Sequence, residues 1–194
     1  AETRSVLSDR PDLRILNALG TATARSTQSG AAVIERLSHG RESAPIDVSQ
    51  SVGFFLQYEP FVVSAAMTAP EQLEQSLRQS DLVASFDALR FYGDDATRAT
   101  MAALPRSEVL FNYVGRQIDA ESDSDIEIAP ESTGQAVSLD GIRAHPLSVI
   151  AEIIDDELEI RFVYSTLLKS TAEIEALAGE VRQALVSEAA QATD

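Results

Sequence analysis

From Leu158 to Tyr164 apolar side chains occupy every second position, at Leu158, Ile160, Phe162 and Tyr164. This is the period of a half-buried strand. Leu147 to Ile154 lies just before it, and the two are joined by Asp155-Asp156, so the stretch predicts a β-hairpin. Behind the hairpin the period changes. Ile174, Leu177, Ala178, Val181 and Leu185 recur at helical spacing, and Ser170-x-x-Glu173 supplies a capping box at the start.

The same reading runs through the rest of the chain. A first helix is expected from about Asp9, with Pro11 in its opening turn, an apolar stripe of Leu13, Ile15, Leu16 and Leu19, and Gly30 beyond its end. Ala31 to Leu37 reads as a strand. Ser51 to Ser64, rich in aromatic and β-branched residues, reads as another, with Pro60 marking an edge, a bulge or a break. Thr68-x-x-Glu71 caps a helix expected to bury Leu73, Leu77 and Val83, and Asp94 is the N-cap of a short helix over Asp95 to Leu104. Glu108 to Gly115 completes the strands. The order predicts one domain over 1–194 of α/β class, an α+β sandwich in which helices cover a mixed sheet.

Composition narrows the function. Of 194 residues, 31 are Asp or Glu and 15 are Lys or Arg, a formal charge of −16 that repels phosphate backbones and argues against nucleic acid. There is no cysteine, which removes disulfides, zinc–thiolate sites and thiol nucleophiles. No apolar run approaches the ~20 residues that span a bilayer, and the first residues lack a signal-peptide core, so a soluble, cytoplasmic protein without a membrane partner is expected. Asp119, Glu121, Asp123, Asp125 and Glu127 alternate as in a calcium loop, but the glycine and the final glutamate of an EF-hand are missing. A solvated loop fits better, and no metal site is expected.

Two histidines and one asparagine carry the candidate chemistry. His39 follows a strand in Ser38-His39-Gly40-Arg41-Glu42, where it could act as a general base, with Arg41 as an anion ligand. The alternative is an Arg41–Glu42 pair that ties down the loop. His145 precedes Pro146 and reads as a residue leading into a strand. Asn112, inside Phe111-Asn112-Tyr113-Val114-Gly115, needs partners if buried; an inter-strand hydrogen bond and a ligand-facing role are equally open.

Taken in order, these segments resemble the C-terminal lobe of the condensation-type domains of nonribosomal peptide synthetases, especially the epimerization branch. That branch has Glu-Gly-His-Gly-Arg-Glu after a strand, and Ser38-His39-Gly40-Arg41-Glu42 is similar to its latter part. Its Thr-Val-Gly-Trp-Phe strand is similar to Ser51-Val52-Gly53-Phe54-Phe55, with Tyr58-Glu59-Pro60 following. Its Phe-Asn-Tyr-Leu-Gly strand is similar to Phe111 through Gly115, and its closing strand pair and helix to Leu147 through Leu185.

The resemblance implies a chloramphenicol-acetyltransferase-like lobe facing an N-terminal lobe across a tunnel. The phosphopantetheine arm of a peptidyl carrier protein enters that tunnel, and no cofactor is bound directly. His39, Arg41, Asn112 and Tyr113 become candidates for the tunnel wall. Two departures matter. The branch's proton-transferring glutamate falls at Leu37, and its His-His-x-x-x-Asp motif, which belongs to the other lobe, occurs nowhere in the chain. The expectation is therefore a lobe that is catalytically incomplete alone and works with an N-terminal lobe, a carrier protein or a tailoring enzyme. The alternatives are half of an active epimerase or amide-forming condensation enzyme, and an unrelated acidic interaction protein.

Overall fold

The computed structural model describes residues 9–41, 46–83, 86–117, 134 and 141–191, without the side chains of 81–83 and 191. Its elements are α1 (Pro11–Arg25), β1 (Ala31–Ser38), β2 (Gln57–Ser64), α2 (Ala69–Val83), α3 (Phe86–Tyr92), α4 (Asp95–Ala102), β3 (Val109–Gln117), β4 (Leu147–Ile154), β5 (Glu157–Tyr164) and α5 (Thr171–Gln191). The strands form one mixed sheet in the order β2-β1-β3-β4-β5. β1, β3 and β4 are parallel neighbours, and β2 and β5 run antiparallel at the edges.

One face of the sheet holds the core. Ile34, Phe61, Val63, Val109, Phe111, Val149, Ala151 and Ile153 are buried there against α1 and α5. α1 lies between the sheet, α2 and α5. It is therefore buried on more than one side, and Leu13, Ile15, Leu16 and Leu19 are fully enclosed. α5 lowers Ile174, Val181 and Leu185 onto the same core, as the helical spacing predicts.

A charged cluster crosses that core. Arg36 is buried on β1, donating from Nε and Nη2 to Glu59 Oε2 at 2.9 and 2.6 Å and from Nη1 to Asp12 Oδ2 at 2.6 Å. Ser38 Oγ donates to the other Glu59 oxygen at 2.9 Å, and the guanidinium lies 4.9 Å from the Phe61 ring centre. Buried charge is tolerated where every group is paired. Here the pairing fixes the start of α1 onto the two strands.

The Ser170 capping box forms in both directions, with the Glu173 N–H donating back to Ser170 Oγ at 3.3 Å, and the Thr68 box forms on its carboxylate side. Glu71 Oε2 accepts from the N–H and hydroxyl of Thr68 at 2.8 and 2.9 Å, and Glu173 Oε2 from those of Ser170 at 2.7 and 2.6 Å. Asp94 caps α4 by accepting from the Thr97 N–H at 2.7 Å. Pro60 sits on an edge strand, as a residue without an N–H must.

Side chains reach the β2 edge at Tyr58, Val62 and Ser64, and the remaining outward position is Pro60, which has no N–H. Asp87 Oδ2 accepts from the Tyr58 N–H at 2.7 Å, Gln79 accepts from the Val62 N–H at 2.9 Å and donates to its carbonyl at 3.1 Å, and Gln72 Nε2 donates to the Ser64 carbonyl at 2.7 Å.

Three expectations change. The strand predicted from Ser51 begins only at Gln57: residues 51–56 have strand-like composition but no partner strand, and Val52 and Phe54 are exposed. α2 does not bury Leu77, which is 41% exposed, but Gln72 and Ser76, at 4% and 2%. The reason is a polar seam with α1, where Ser76 Oγ donates to Asn17 Oδ1 at 2.8 Å and Thr21 Oγ1 to Gln72 Oε1 at 2.9 Å. The expected Val83 contact falls among the undescribed side chains. α3 is an element that the sequence pattern does not predict. The acidic stretch from Asp119 to Glu131 and the Glu42 side of the Arg41–Glu42 pair lie outside the described residues.

Candidate functional site

The face of the sheet away from α1 and α5 carries the candidate residues. Alternation places Glu35 and Leu37 of β1 on it, together with Tyr58 of β2, Leu110 and Asn112 of β3, Ser148 and Ile150 of β4, and Arg161 of β5. Register aligns Tyr58, Leu37, Asn112, Ile150 and Arg161 in one row across the five strands. Leu37, half-buried, sits between Tyr58 and Asn112 and brings no ionisable group to its place in the row. Among the described residues none hydrogen-bonds the Asn112 amide.

One row below Leu37 lies a group of ionisable side chains. His145 Nε2 is 2.5 Å from Glu35 Oε2, with only 10% and 14% of the two side chains exposed. Arg90 of α3 approaches the other Glu35 oxygen at 4.0 Å, and the Tyr58 ring stacks on His145 at 6.5 Å between centres. β1 supplies the carboxylate, the residues before β4 the imidazole, β2 the aromatic ring and α3 the cation. His145 does lead into β4, as expected. Its pairing with Glu35, 110 positions away, has no local signal in the sequence.

His39 and Arg41 lie beyond the end of β1. His39 is exposed, and its Nδ1 accepts from the Arg41 N–H at 3.3 Å. The Arg41 guanidinium stands 4.4 Å from the Phe55 ring centre and donates to the Ser51 carbonyl at 3.3 Å. Arg41 thus ties its loop to the residues before β2. Gly40 allows the tight approach: its φ is +61°, and a Cβ there would lie 2.4 Å from the Phe55 carbonyl oxygen.

The four expected wall residues do not share a surface. Asn112 is on the outer face, whereas Tyr113 packs against the core on the opposite one. Burial pushes the Tyr113 phenol above its ordinary 10.0, with Arg116 opposing the rise and Asp12 adding to it. A bulge follows, where the register shifts between Tyr113 and Gly115 and Gly115 adopts φ +106°. Bulges re-aim side chains near the ends of strands.

A groove of about 330 Å³ lies instead on the helical side, between α1, α2 and α5, lined by Asn17, Thr21, Pro70, Leu73 and Glu188 among others. Among the described residues no cluster of histidine and acidic side chains could hold a metal ion, and no helix is long and apolar enough to cross a membrane.

No family model matches the chain. It is 28% identical over 180 residues to tyrocidine synthase 2 of Brevibacillus parabrevis, covering 89% of this chain and 5% of the relative. It is 29% identical over 201 residues to a linear gramicidin synthase of the same organism, covering 95% of this chain and 3% of the relative. Among solved structures it is similar to the epimerization domain from the third module of tyrocidine synthetase B. That match has a TM-score of 0.81 at 25% identity and covers 98% of this chain and 46% of that one. The chain therefore spans about half of one such domain and a few per cent of the synthases. Its fold is that of the C-terminal lobe of a condensation/epimerization domain, with the chloramphenicol-acetyltransferase-like mixed sheet. This likeness replaces the alternative of an unrelated acidic protein.

Proposed function

We propose that the chain, as the C-terminal lobe of a condensation/epimerization-type domain of nonribosomal peptide synthesis, presents its outer sheet face to an N-terminal lobe and is catalytically incomplete by itself. The observation that carries this reading is Leu37, set between Tyr58 and Asn112 on that face. α-Epimerization of a carrier-bound aminoacyl thioester requires one group to take the Cα proton and another to return one on the opposite side. An isobutyl side chain does neither. The lobe then contributes a wall: Asn112 offers an amide to the substrate or the phosphopantetheine arm, and His39 and Arg41 flank the row beyond the end of β1. Tyr113, on the core side, supports the strand. The partners are an N-terminal lobe, a peptidyl carrier protein and, on the recruiting version of this reading, a tailoring enzyme. The work takes place in the cytoplasm.

The test is to mix the chain with an N-terminal lobe and an aminoacyl-loaded carrier protein in D2O. The expected result is association of the lobes without deuterium appearing at Cα and without amide product. Failure to associate with lobe or carrier overturns the reading. Deuterium incorporation favours the second reading, half of an active enzyme. The Glu35–His145 pair motivates that second reading, because it is the ionisable pair one register step from Leu37 on the same face.

A further inference from the structure

The two edges of the sheet are treated in opposite ways. On β2 each outward-facing position is sealed by a side chain or is a proline. On β5 the bonds to β4 run through Glu157, Glu159, Arg161 and Val163. The Ser165 N–H continues that alternation by donating to the Pro146 carbonyl at 3.0 Å, and the antiparallel register is unbroken. The main-chain groups of Leu158, Ile160, Phe162 and Tyr164 therefore point away from the sheet, and among the described residues nothing pairs with them. The strand has eight residues and no proline or bulge.

We propose that this edge pairs with the β5 edge of a second copy, antiparallel about a twofold axis at Ile160, joining the two sheets into one. The strand's own sequence selects the register. Centred on Ile160, Leu158 faces Phe162 on the helix side, and Glu159 faces Arg161 twice on the outer side. Moving the axis by one residue sets Glu159 against Glu159 or Arg161 against Arg161, and like charges directly opposite one another are unfavourable. Glu159 and Arg161 are half-exposed and already lean together within one strand, with Arg161 Nε 3.3 Å from Glu159 Oε1, while Arg161 Nη2 donates to Glu152 Oε1 of β4 at 2.5 Å. Each therefore reaches its counterpart across the axis without leaving a buried site. Leu158, Ile160 and Phe162, half-buried in one copy, become a continuous apolar row across two. The interface is isologous, as a closed dimer requires.

Sedimentation of the chain across a wide concentration range, at about 0.15 M salt to screen the repulsion between two chains of −16, is expected to show a monomer–dimer equilibrium. Glu159→Arg and Arg161→Glu each abolish the dimer, and an equimolar mixture of the two restores it, because each then faces its opposite. The absence of cysteine allows a second readout. In Ile160→Cys the two thiols meet at the axis, where paired Cα atoms lie about 5.5 Å apart, within disulfide range, so oxidation yields a covalent dimer. In Glu157→Cys the thiols are about 20 Å apart along the strand and stay unlinked. A chain that remains monomeric with no cross-link at position 160, a dimer unaffected by Glu159→Arg, or equal cross-linking at positions 157 and 160 overturns the proposal. Should Arg161→Glu fail to fold through loss of its Glu152 contact, the cysteine pair and Glu159→Arg decide the matter.

Discussion

Glu35 and His145 meet at 2.5 Å on the outer face of the sheet, and each is almost enclosed. His145→Ala leaves the Glu35 carboxylate with Arg90, 4.0 Å away, as its remaining charged neighbour. Stranding a buried polar group costs about 1–3 kcal/mol. Denaturant unfolding of His145→Ala and Glu35→Ala is expected to show losses in that range, with a smaller loss for Glu35→Gln, whose carbonyl still accepts. Fully additive losses in the double variant would mean the two residues act separately.

Gly20 lies in α1, where alanine ordinarily gains about 1 kcal/mol over glycine. Here a Cβ would lie 2.5–2.9 Å from the side-chain carbons of Val63. Overpacking of a core costs about 1–3 kcal/mol, so Gly20→Ala is expected to be net destabilising. Gly20→Ala combined with Val63→Ala should recover part of the loss, as measured by thermal unfolding.

Acid should weaken the helix caps. Glu71, Glu173 and Asp94 are held below their ordinary 4.5, 4.5 and 3.8, chiefly by hydrogen bonds from Thr68, Ser170 and Thr97. A depressed carboxylate contributes stability that is complete above its ordinary value and is lost as pH falls through the folded one. Urea unfolding is expected to show stability falling below about pH 4.5. The decline should be shallower in Thr68→Ala with Ser170→Ala, which lack the hydroxyls that favour the charged forms.

Much of this architecture is legible locally. The hairpin, both capping boxes and the stripe of α1 rest on neighbours within a few positions. What the pattern misses depends on distant partners. Gln72 and Ser76 are buried because Asn17 and Thr21 of α1 offer hydrogen bonds. α3 buries no residue and therefore writes no stripe into the sequence. His145 reads only as a residue leading into β4, because its carboxylate comes from β1. Asn112 and Tyr113 read together as wall residues, yet adjacent strand residues face opposite ways.

Restoring a carboxylate at position 37 tests the wall reading directly. Leu37→Glu places a polar group on a half-buried site, at an expected cost of about 1–3 kcal/mol. Paired with an N-terminal lobe and a loaded carrier protein, this variant is expected to exchange the Cα proton for deuterium where the wild type does not. Equal, absent exchange in both would show that more than Leu37 is missing.

Gln79 holds both outward main-chain groups of Val62. Gln79→Ala should speed amide exchange at Val62 and cost about 0.5–1.5 kcal/mol. It also tests a broader consequence of the sealed β2 edge. A sheet with two open edges is a monomer that polymerises, each addition exposing another edge. This one can add a neighbour on the β5 side only, so growth terminates after a single step. Sealing β2 makes association finite, and opening it by Gln79→Ala should turn a population of discrete particles into one with a tail of larger ones.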